Sequence, residues 1–278
     1  MLRTVGDEYL QMNRANWDSR VPVHAAAYDL DAYRRDPAHI SSVIRFDLPR
    51  LGSVSEMDVV HLQCHIGTDT LSLARLGARM TGLDFSTPAL DVAKSLADDT
   101  GADIRYVEAE VYRAPDVLGE GHFDMVFTGI GALCWLPSVG RWADVVSALL
   151  KPGGRLFIRE GHPMLWSLAD PRDDGIIAVG FPYFETAGTR FVERKTYVGH
   201  EDDLASPETV QFNHGIGEIL TAVTNAGLTL SSFEEHTSVP WNPLGPSMER
   251  VGLGEWQLHD RPERLAASYT LQAVKDQV

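Results

Sequence analysis

Two short stretches of this chain carry residue types that could do chemistry together. Val59-Val60-His61-Leu62-Gln63-Cys64-His65-Ile66-Gly67-Thr68-Asp69 is an apolar strand running into a tight polar loop, and Thr81-Gly82-Leu83-Asp84 is a second strand ending in a carboxylate. Strand, loop, helix and second strand with a terminal acid make the βαβ layout of a nucleoside-binding fold. The loop lets backbone approach the ligand, and the acid accepts hydrogen bonds from ribose hydroxyls. Only Gly67 stands where such loops usually hold three glycines. If positions 63 or 65 require a positive φ, a non-glycine residue there costs roughly 1–2 kcal/mol, which His tolerates in the left-handed region. His61 and His65 fall across a strand and a loop rather than on one helix face, so they do not read as a zinc site and no metal is expected.

The elements that must position these residues follow from the pattern around them. Residues 1–55 read as a helical segment holding Trp17, Val21, Val23, Tyr28 and Tyr33 among charges. From residue 57 strands alternate with amphipathic helices: strands over 57–62, 79–83, 104–107, 124–128 and 155–159, helices over 68–77, 86–99 and 139–151. Pro88 suits the first turn of the second helix. Lys151-Pro152-Gly153-Gly154 reads as the terminator of the third. This alternation predicts a parallel sheet with right-handed crossovers. Residues 161–213 break the rhythm with Pro163, Pro171, Pro182 and Asp173-Asp174-Gly175, and are too long and aromatic for a connector. A helix over 215–226 and strands over 228–235 and 268–274 then resume the core. The expected organisation is an α/β, Rossmann-like, doubly wound, seven-stranded and mostly parallel sheet over 56–160 and 214–278, with an N-terminal helical lid over 1–55 and an inserted substrate cap over 161–213.

Composition excludes some classes of partner. A formal net charge of −15 argues against nucleic acid, whose phosphates need basic neutralisation, while 44% hydrophobic residues suffice for a core. The two cysteines, Cys64 and Cys134, have no CxxC or histidine spacing and read as small core residues of a protein in a reducing compartment. The opening Met1-Leu2-Arg3-Thr4-Val5-Gly6-Asp7-Glu8 has acids where a signal peptide needs an apolar run. No stretch approaches the ~18 apolar residues of a membrane span. A cytoplasmic protein without a membrane partner is expected, as monomer or homodimer.

Over about 55–160, and again over 210–274, the chain resembles the class I S-adenosylmethionine-dependent methyltransferases. The blocks that carry the resemblance are Phe123-Asp124-Met125-Val126-Phe127-Thr128, matching the family's fourth strand, and Leu149-Leu150-Lys151-Pro152-Gly153-Gly154-Arg155-Leu156, matching its turn into strand five. The Leu-Gln-Cys-His loop, the opening Trp17-Asp18-Ser19-Arg20-Val21-Pro22-Val23-His24 and the later Phe212-Asn213-His214 are similar to a bacterial subgroup that includes N-methyltransferases acting on antibiotic-like molecules. The resemblance implies S-adenosyl-L-methionine as cofactor and S-adenosyl-L-homocysteine as product. It places the cofactor against Gln63, Cys64, His65, Gly67, Thr68 and Asp69 of the loop, and against Asp84, Phe85 and Ser86 after strand two, with Asp84 on the ribose. After strand three, Glu110 would face the adenine amino group and the Val111 N–H the ring, with Glu108 as competitor for the acid. Thr128 and Gly129 follow strand four. The family usually has an acid at the end of strand one, where this chain has His61, so the partner of the methionine ammonium is unassigned.

Methyl transfer is an in-line displacement at an activated carbon, so the protein's tasks are alignment, water exclusion and a neutral nucleophile. Tyr9 in the expected lid and His162 after strand five are the candidates for positioning the acceptor and relaying its proton, with Trp17, Trp135 and Trp166 as aromatic walls for the substrate. His214 heads a helix and reads as a cap or partner of an acid. The expected function is S-adenosylmethionine-dependent methylation of a small molecule, most simply N-methylation of a secondary metabolite. A nicotinamide-dependent oxidoreductase and a non-catalytic S-adenosylmethionine-binding protein stay open as alternatives.

Overall fold

Alternation along the strands sorts the core into two layers. Val60, Val126 and Ile158 pack with Trp142 and Val146 on one side, joined by Ile219 and Val223. Their chain neighbours Val59, Met125 and Phe157 pack on the other side with Ile44, Leu51 and Leu73. Side chains of period two thus make the sheet apolar on both faces, and helices must cover both.

The computed structural model describes residues 5–184, 187–199 and 203–277; residues 1–4, on which some of the leader reading rests, lie outside them, as do 185, 186 and 200–202 of the expected cap. Five parallel strands, β1 (Asp58–Leu62), β2 (Arg79–Asp84), β3 (Ile104–Glu108), β4 (Phe123–Thr128) and β5 (Leu150–Gly161), lie in the order β3-β2-β1-β4-β5. Strands Ser268–Lys275 and Leu228–His236 complete the seven-stranded sheet, the former antiparallel to both its neighbours. The order reverses between β1 and β4, and ligands of open α/β sheets bind at the carboxyl ends of the strands flanking such a switch.

The helices are α1 (Val5–Ala27), α2 (Leu30–Arg35) and α3 (Ser42–Leu51) in the N-terminal segment, then α4 (Thr68–Arg75) and α5 (Thr87–Thr100). The Ser86 hydroxyl caps α5 by accepting from the Ala89 N–H at 3.3 Å. One sequence expectation is corrected by the strand pairing. Lys151-Pro152-Gly153-Gly154 does not terminate the preceding helix, which stops at Leu149. The chain already pairs with β4 at Leu150, opposite Phe123, and resumes with Arg155 opposite Met125, so these four residues bulge out of a strand. The Lys151 ammonium folds back onto Asp58 and Asp124 at 2.8 and 2.9 Å.

Helix α1 has two working faces. Outward, Arg14 reaches Glu108 at 2.6 Å and Asp18 accepts from the Ser86 hydroxyl at 2.6 Å, tying the helix to the sheet. Inward, it meets a hairpin of strands Thr189–Val192 and Glu208–Gln211. Asn13 exchanges two 2.8 Å hydrogen bonds with the Val210 backbone, Asn16 donates to the Ser206 carbonyl at 2.6 Å, and His24 meets the Thr196 hydroxyl at 2.8 Å. Just beyond the helix the Tyr28 hydroxyl bonds that of Tyr197. Residues 237–267, assigned to the core by their position in the sequence, leave the sheet. They form a three-stranded patch, Ser238–Val239, Met248–Arg250 and Trp256–Leu258, whose Val239, Leu244 and Met248 pack with Leu165 of the cap. Two separate insertions therefore build the roof. Among the described residues no helix is long and apolar enough to cross a membrane, and no group of three or more His, Cys, Asp or Glu could hold a metal ion.

Candidate functional site

The loop between β1 and α4 keeps the path of a glycine loop without its glycines. Gln63 has φ 56° and His65 φ 51°, both left-handed. Each strained residue is anchored: Gln63 Nε2 donates to the Ala132 carbonyl at 3.1 Å, and the His65 N–H donates to Asp84 Oδ2 at 2.8 Å. The His65 ring packs edge-on against Trp17 at 5.1 Å and His24 at 5.0 Å. Gly67 has no substitute, since a Cβ there would stand 2.5 Å from the Tyr106 hydroxyl and 2.8 Å from Ala93 Cβ. Asp84 also accepts the Ser86 N–H at 2.9 Å. Its burial raises the carboxyl pKa to about 6, against the pull of these N–H groups. The Phe85 N–H is a third donor to it, which leaves about one lone-pair direction of the carboxylate for a ribose hydroxyl.

Beyond β3 the two candidate acids separate. Glu108 is occupied by Arg14 at 2.6 Å and the Thr87 hydroxyl at 2.9 Å. Glu110 caps a short turn through Oε2, which accepts the Tyr112 N–H at 3.1 Å, while its Oε1 is buried without a partner. Burial raises its pKa.

A cavity of about 1840 Å³ opens over the carboxyl ends of β1, β2 and β4. Small-molecule pockets are typically about 300–1,000 Å³, so this one has room for two ligands. Gln63, Cys64, His65, Thr68, Asp69, Asp84, Phe85 and Gly129 line one wall. Gly67, Ser86, Glu110, Val111 and Thr128 lie outside that wall. Trp17, Trp135 and Trp166 line the same cavity, Trp17 directly against the His65 ring. Trp17 and Trp135 meet edge to face at 5.3 Å, and the Trp135 indole N–H is fixed by the Gly131 carbonyl at 2.8 Å. Trp166 stacks on Trp241 at 5.6 Å.

The positions of Tyr9 and His162 do not meet the catalytic expectation placed on them. The Tyr9 ring packs edge-on against Phe212 at 5.6 Å, outside the cavity lining, because the stripe of α1 that reaches the cavity starts about two turns further along, at Trp17. His162 caps the turn Pro163–Trp166, accepting the Met164 N–H at 3.0 Å, and turns its other nitrogen to Glu235 at 2.9 Å, away from the cavity. His214 is buried with Nε2 2.8 Å from the Leu136 carbonyl and Nδ1 3.5 Å from Glu218.

Residues 60–156 match the methyltransferase domain family. The stretch from β1 into β5 is thus similar to a methyltransferase domain. Over 106 residues it is 36% identical to a ubiquinone biosynthesis O-methyltransferase of Colwellia psychrerythraea, covering 37% of this chain and 41% of that protein. A protein of the same name from Yersinia pestis is 32% identical over 123 residues, 44% of this chain and 50% of its own. The chain thus spans half or less of the length of these curated relatives. The fold matches an S-adenosylmethionine-dependent methyltransferase from Mesorhizobium loti with TM-score 0.58 at 20% identity, over 84% of this chain and 98% of that one. It also matches the Burkholderia thailandensis 1,6-didemethyltoxoflavin-N1-methyltransferase with TM-score 0.54 at 16% identity, over 99% and 92% of the two chains.

Three features around the methyltransferase domain escape the sequence reading. Glu160, buried at the end of β5, accepts the N–H groups of Gly131, Ala132 and Leu133 at 2.7 Å each and of Gly161 at 2.6 Å, and so shapes the loop after β4. Its only sequence signal is an acid next to a glycine at a strand end. Arg20 sits inside the Trp17–His24 motif, yet its type alone gives no sign that it is buried at 4% exposure. Trp241 belongs to the second roof insertion, which the strand pattern concealed.

Proposed function

We propose that this chain transfers a methyl group from S-adenosylmethionine to a small-molecule acceptor, and that the atom methylated is a nitrogen of an antibiotic-like or other secondary metabolite. The observation that carries the reading is one cavity in which polar loop ends with Asp84 at the sheet meet aromatic rings from α1, the loop after β4 and the two insertions. The residues fit the cofactor. Asp84 has acceptor capacity left for a ribose hydroxyl, and the unpartnered Oε1 of Glu110 matches an adenine amino donor. When bound, S-adenosylmethionine supplies a methyl carbon already activated by its sulfonium.

The remaining tasks fall to the protein. Trp17 and Trp135 exclude water, with the Arg20 guanidinium over a ring face of each. Three titratable groups that line the cavity, His65, Tyr28 and Tyr197, suit an amine as nucleophile. Burial holds His65 neutral with its pKa down to about 3, and pushes Tyr28 and Tyr197 up. None is a strong base near neutral pH, which an oxygen or carbon acceptor would require more strictly than an amine that sheds its proton to water. The likeness to O-methyltransferases of ubiquinone biosynthesis spans 37% of the chain, and the family match ends at residue 156, short of both roof insertions. That substrate is therefore not carried over. The two free buried cysteines agree with action in the cytoplasm.

Calorimetry with S-adenosylhomocysteine and NADH tests the cofactor: binding of the first and not the second is expected, and the reverse would overturn the reading. Incubation with methyl-labelled S-adenosylmethionine and an extract of the source organism should then give a labelled small molecule whose mass spectrum locates the methyl group on nitrogen.

A further inference from the structure

Arg20 is a cation built into the cavity wall with little to hold. The residue is 4% exposed and belongs to the lining. Its guanidinium carbon lies 5.0 Å from the Trp17 ring centre and 5.5 Å from that of Trp135, so two indoles stand where water would. Among the described residues its Nε is buried without a partner, and its paired carboxylate, Glu193 Oε2, is 3.7 Å away, beyond hydrogen-bond length. The Glu193 side chain is itself 48% exposed. Tyr28, Tyr197, Cys134 and His65 also feel the Arg20 charge, but all four line the cavity and are held neutral by burial. A guanidinium taken out of water needs acceptors for its planar fork of N–H donors. Here the acid that pairs with it is loose and half-solvated.

Rings make up much of the lining that the two insertions contribute. Trp166 stacks on Trp241, and the Phe181 ring centre lies 5.3 Å from that of Phe191. Phe184, 78% exposed, and Leu253, 45% exposed, line the cavity too and carry its apolar surface out to solvent. Arg20, Glu193 and all of these residues fall outside 60–156, the part that matches the methyltransferase domain. They belong to α1 and the insertions, the kind of addition through which a common fold acquires its selectivity. The acids on the sheet side are engaged otherwise: Asp84 accepts backbone N–H groups, and Asp69 accepts the Ser41 hydroxyl. A molecule held by α1 and the insertions therefore meets a buried positive charge and apolar rings.

We propose that the methyl acceptor is an apolar, ring-bearing molecule that carries an oxyanion such as a carboxylate, and that Arg20 is the residue selecting for that charge. This deepens the methyl-transfer reading above and rests on it. The oxyanion takes the fork of the guanidinium, which matches it in shape and charge, while Glu193 turns to water. The acceptor thus completes a pairing that the protein alone leaves loose.

Two fluorescent probes that differ only in charge test the assignment on protein held in excess S-adenosylhomocysteine: anilinonaphthalenesulfonate, and N-phenylnaphthylamine, the same rings without the sulfonate. The wild type should bind the sulfonate more tightly by about 10-fold or more, the scale of a charge-assisted hydrogen bond, and Arg20→Gln should abolish that preference while leaving the neutral probe within about twofold. Energy transfer from tryptophan should accompany binding, since tryptophans line the cavity. Glu193→Gln should tighten the sulfonate by about threefold, the scale of a half-exposed ion pair, a gain that a misfolded variant does not give. Circular dichroism and retained N-phenylnaphthylamine binding show that Arg20→Gln is folded. Equal affinities of the wild type for the two probes, or equal losses of both in Arg20→Gln, would overturn the proposal. So would an Arg20→Gln variant that binds S-adenosylhomocysteine weakly yet binds 5′-methylthioadenosine, which lacks the amino-acid end, normally; the guanidinium would then serve the cofactor. If the wild type prefers the sulfonate but binds neither adenosine compound, the cofactor reading fails and the anion site stands.

Discussion

The two seams around the cavity are held by different chemistry. At the sheet, loops are fixed by buried carboxylates that accept backbone N–H groups: Asp84 holds His65 and Ser86, and Glu160 holds residues 131–133 and 161. Between α1 and the cap the contacts come from side chains about a turn apart, Asn13, Asn16, Arg20 and His24, followed by Tyr28. A buried carboxylate offsets its desolvation only when several donors converge on it, so its contacts stand or fall together. The contacts along α1 are each worth about 1 kcal/mol and can break singly. The sheet side is therefore expected to behave as a rigid mould and the α1 seam as a weaker clasp.

The sharpest test of that contrast is Glu160→Ala. Removing this carboxylate strands four N–H groups in the interior, and the expected loss is about 3–5 kcal/mol, read from urea unfolding. Glu160→Gln keeps one acceptor oxygen and should lose less. A loss below about 1 kcal/mol for the alanine variant would show that the loop after β4 holds its shape without the acid.

The mould should also be acid-sensitive through its histidines. Burial brings His61 and His65 down to a pKa of about 3, against 6.5 in an unfolded chain. Between these values the unfolded state binds more protons than the folded one, so stability falls as pH falls through that window and is fully present above about 6.5. Each ring should contribute about 2–4 kcal/mol of loss by pH 4. Asp84, raised to about 6, and Asp47, raised to about 7 by burial, work in the opposite sense and lose stability as pH rises from about 4. The clean quantity is therefore the difference between wild type and His65→Asn, chosen because Asn accepts the left-handed backbone. That difference should shrink steadily as pH falls from 6.5 to 4; a difference flat with pH would mean that the His65 ring is not held neutral.

The clasp should yield less. Asn13→Ala deletes both bonds to Val210 and is expected to lower stability by about 1–2 kcal/mol. Hydrogen exchange at the Val210 amide should quicken by about tenfold or more, with 5′-methylthioadenosine affinity unchanged. Unchanged exchange at that amide would show that the seam is held elsewhere.

The same contrast explains what could be seen in the chain alone. The sheet is legible because its rule is local. Val59 and Val60 alternate into opposite layers, and Asp84 ends its strand one βαβ unit after the loop. Gly67 is legible too, since only glycine lets the loop pack on Tyr106. The clasp is not. Asn13 and Val210, or Arg20 and Glu193, are brought together across nearly two hundred residues by the insertions, and no period or motif records that pairing. Tyr9 and Trp17 lie two turns apart on one helix, yet only Trp17 reaches the cavity, a distinction set by where the cap hairpin docks. Lys151-Pro152-Gly153-Gly154 has a helix-stop composition, but pairing of Leu150 with Phe123 had already begun the strand.

The smallest effect expected lies on the outer face of α1, and it decides which body the helix belongs to. Arg14 and Glu108 are 2.6 Å apart, but each side chain is 43% exposed, so water and salt screen the pair. The Glu108 carboxyl is held low first by the Thr87 hydroxyl and then by Arg14, so removing Arg14 leaves the acid a partner. A double-mutant cycle of Arg14→Ala with Glu108→Ala should therefore give a coupling below about 1 kcal/mol, diminished further at about 1 M salt, where the Debye length is near 3 Å. Such a value leaves α1 held mainly by the cap, and the two should then open together as one lid. A salt-resistant coupling of about 2 kcal/mol or more would reverse the comparison: α1 would belong to the mould, and only the hairpin of the cap would move.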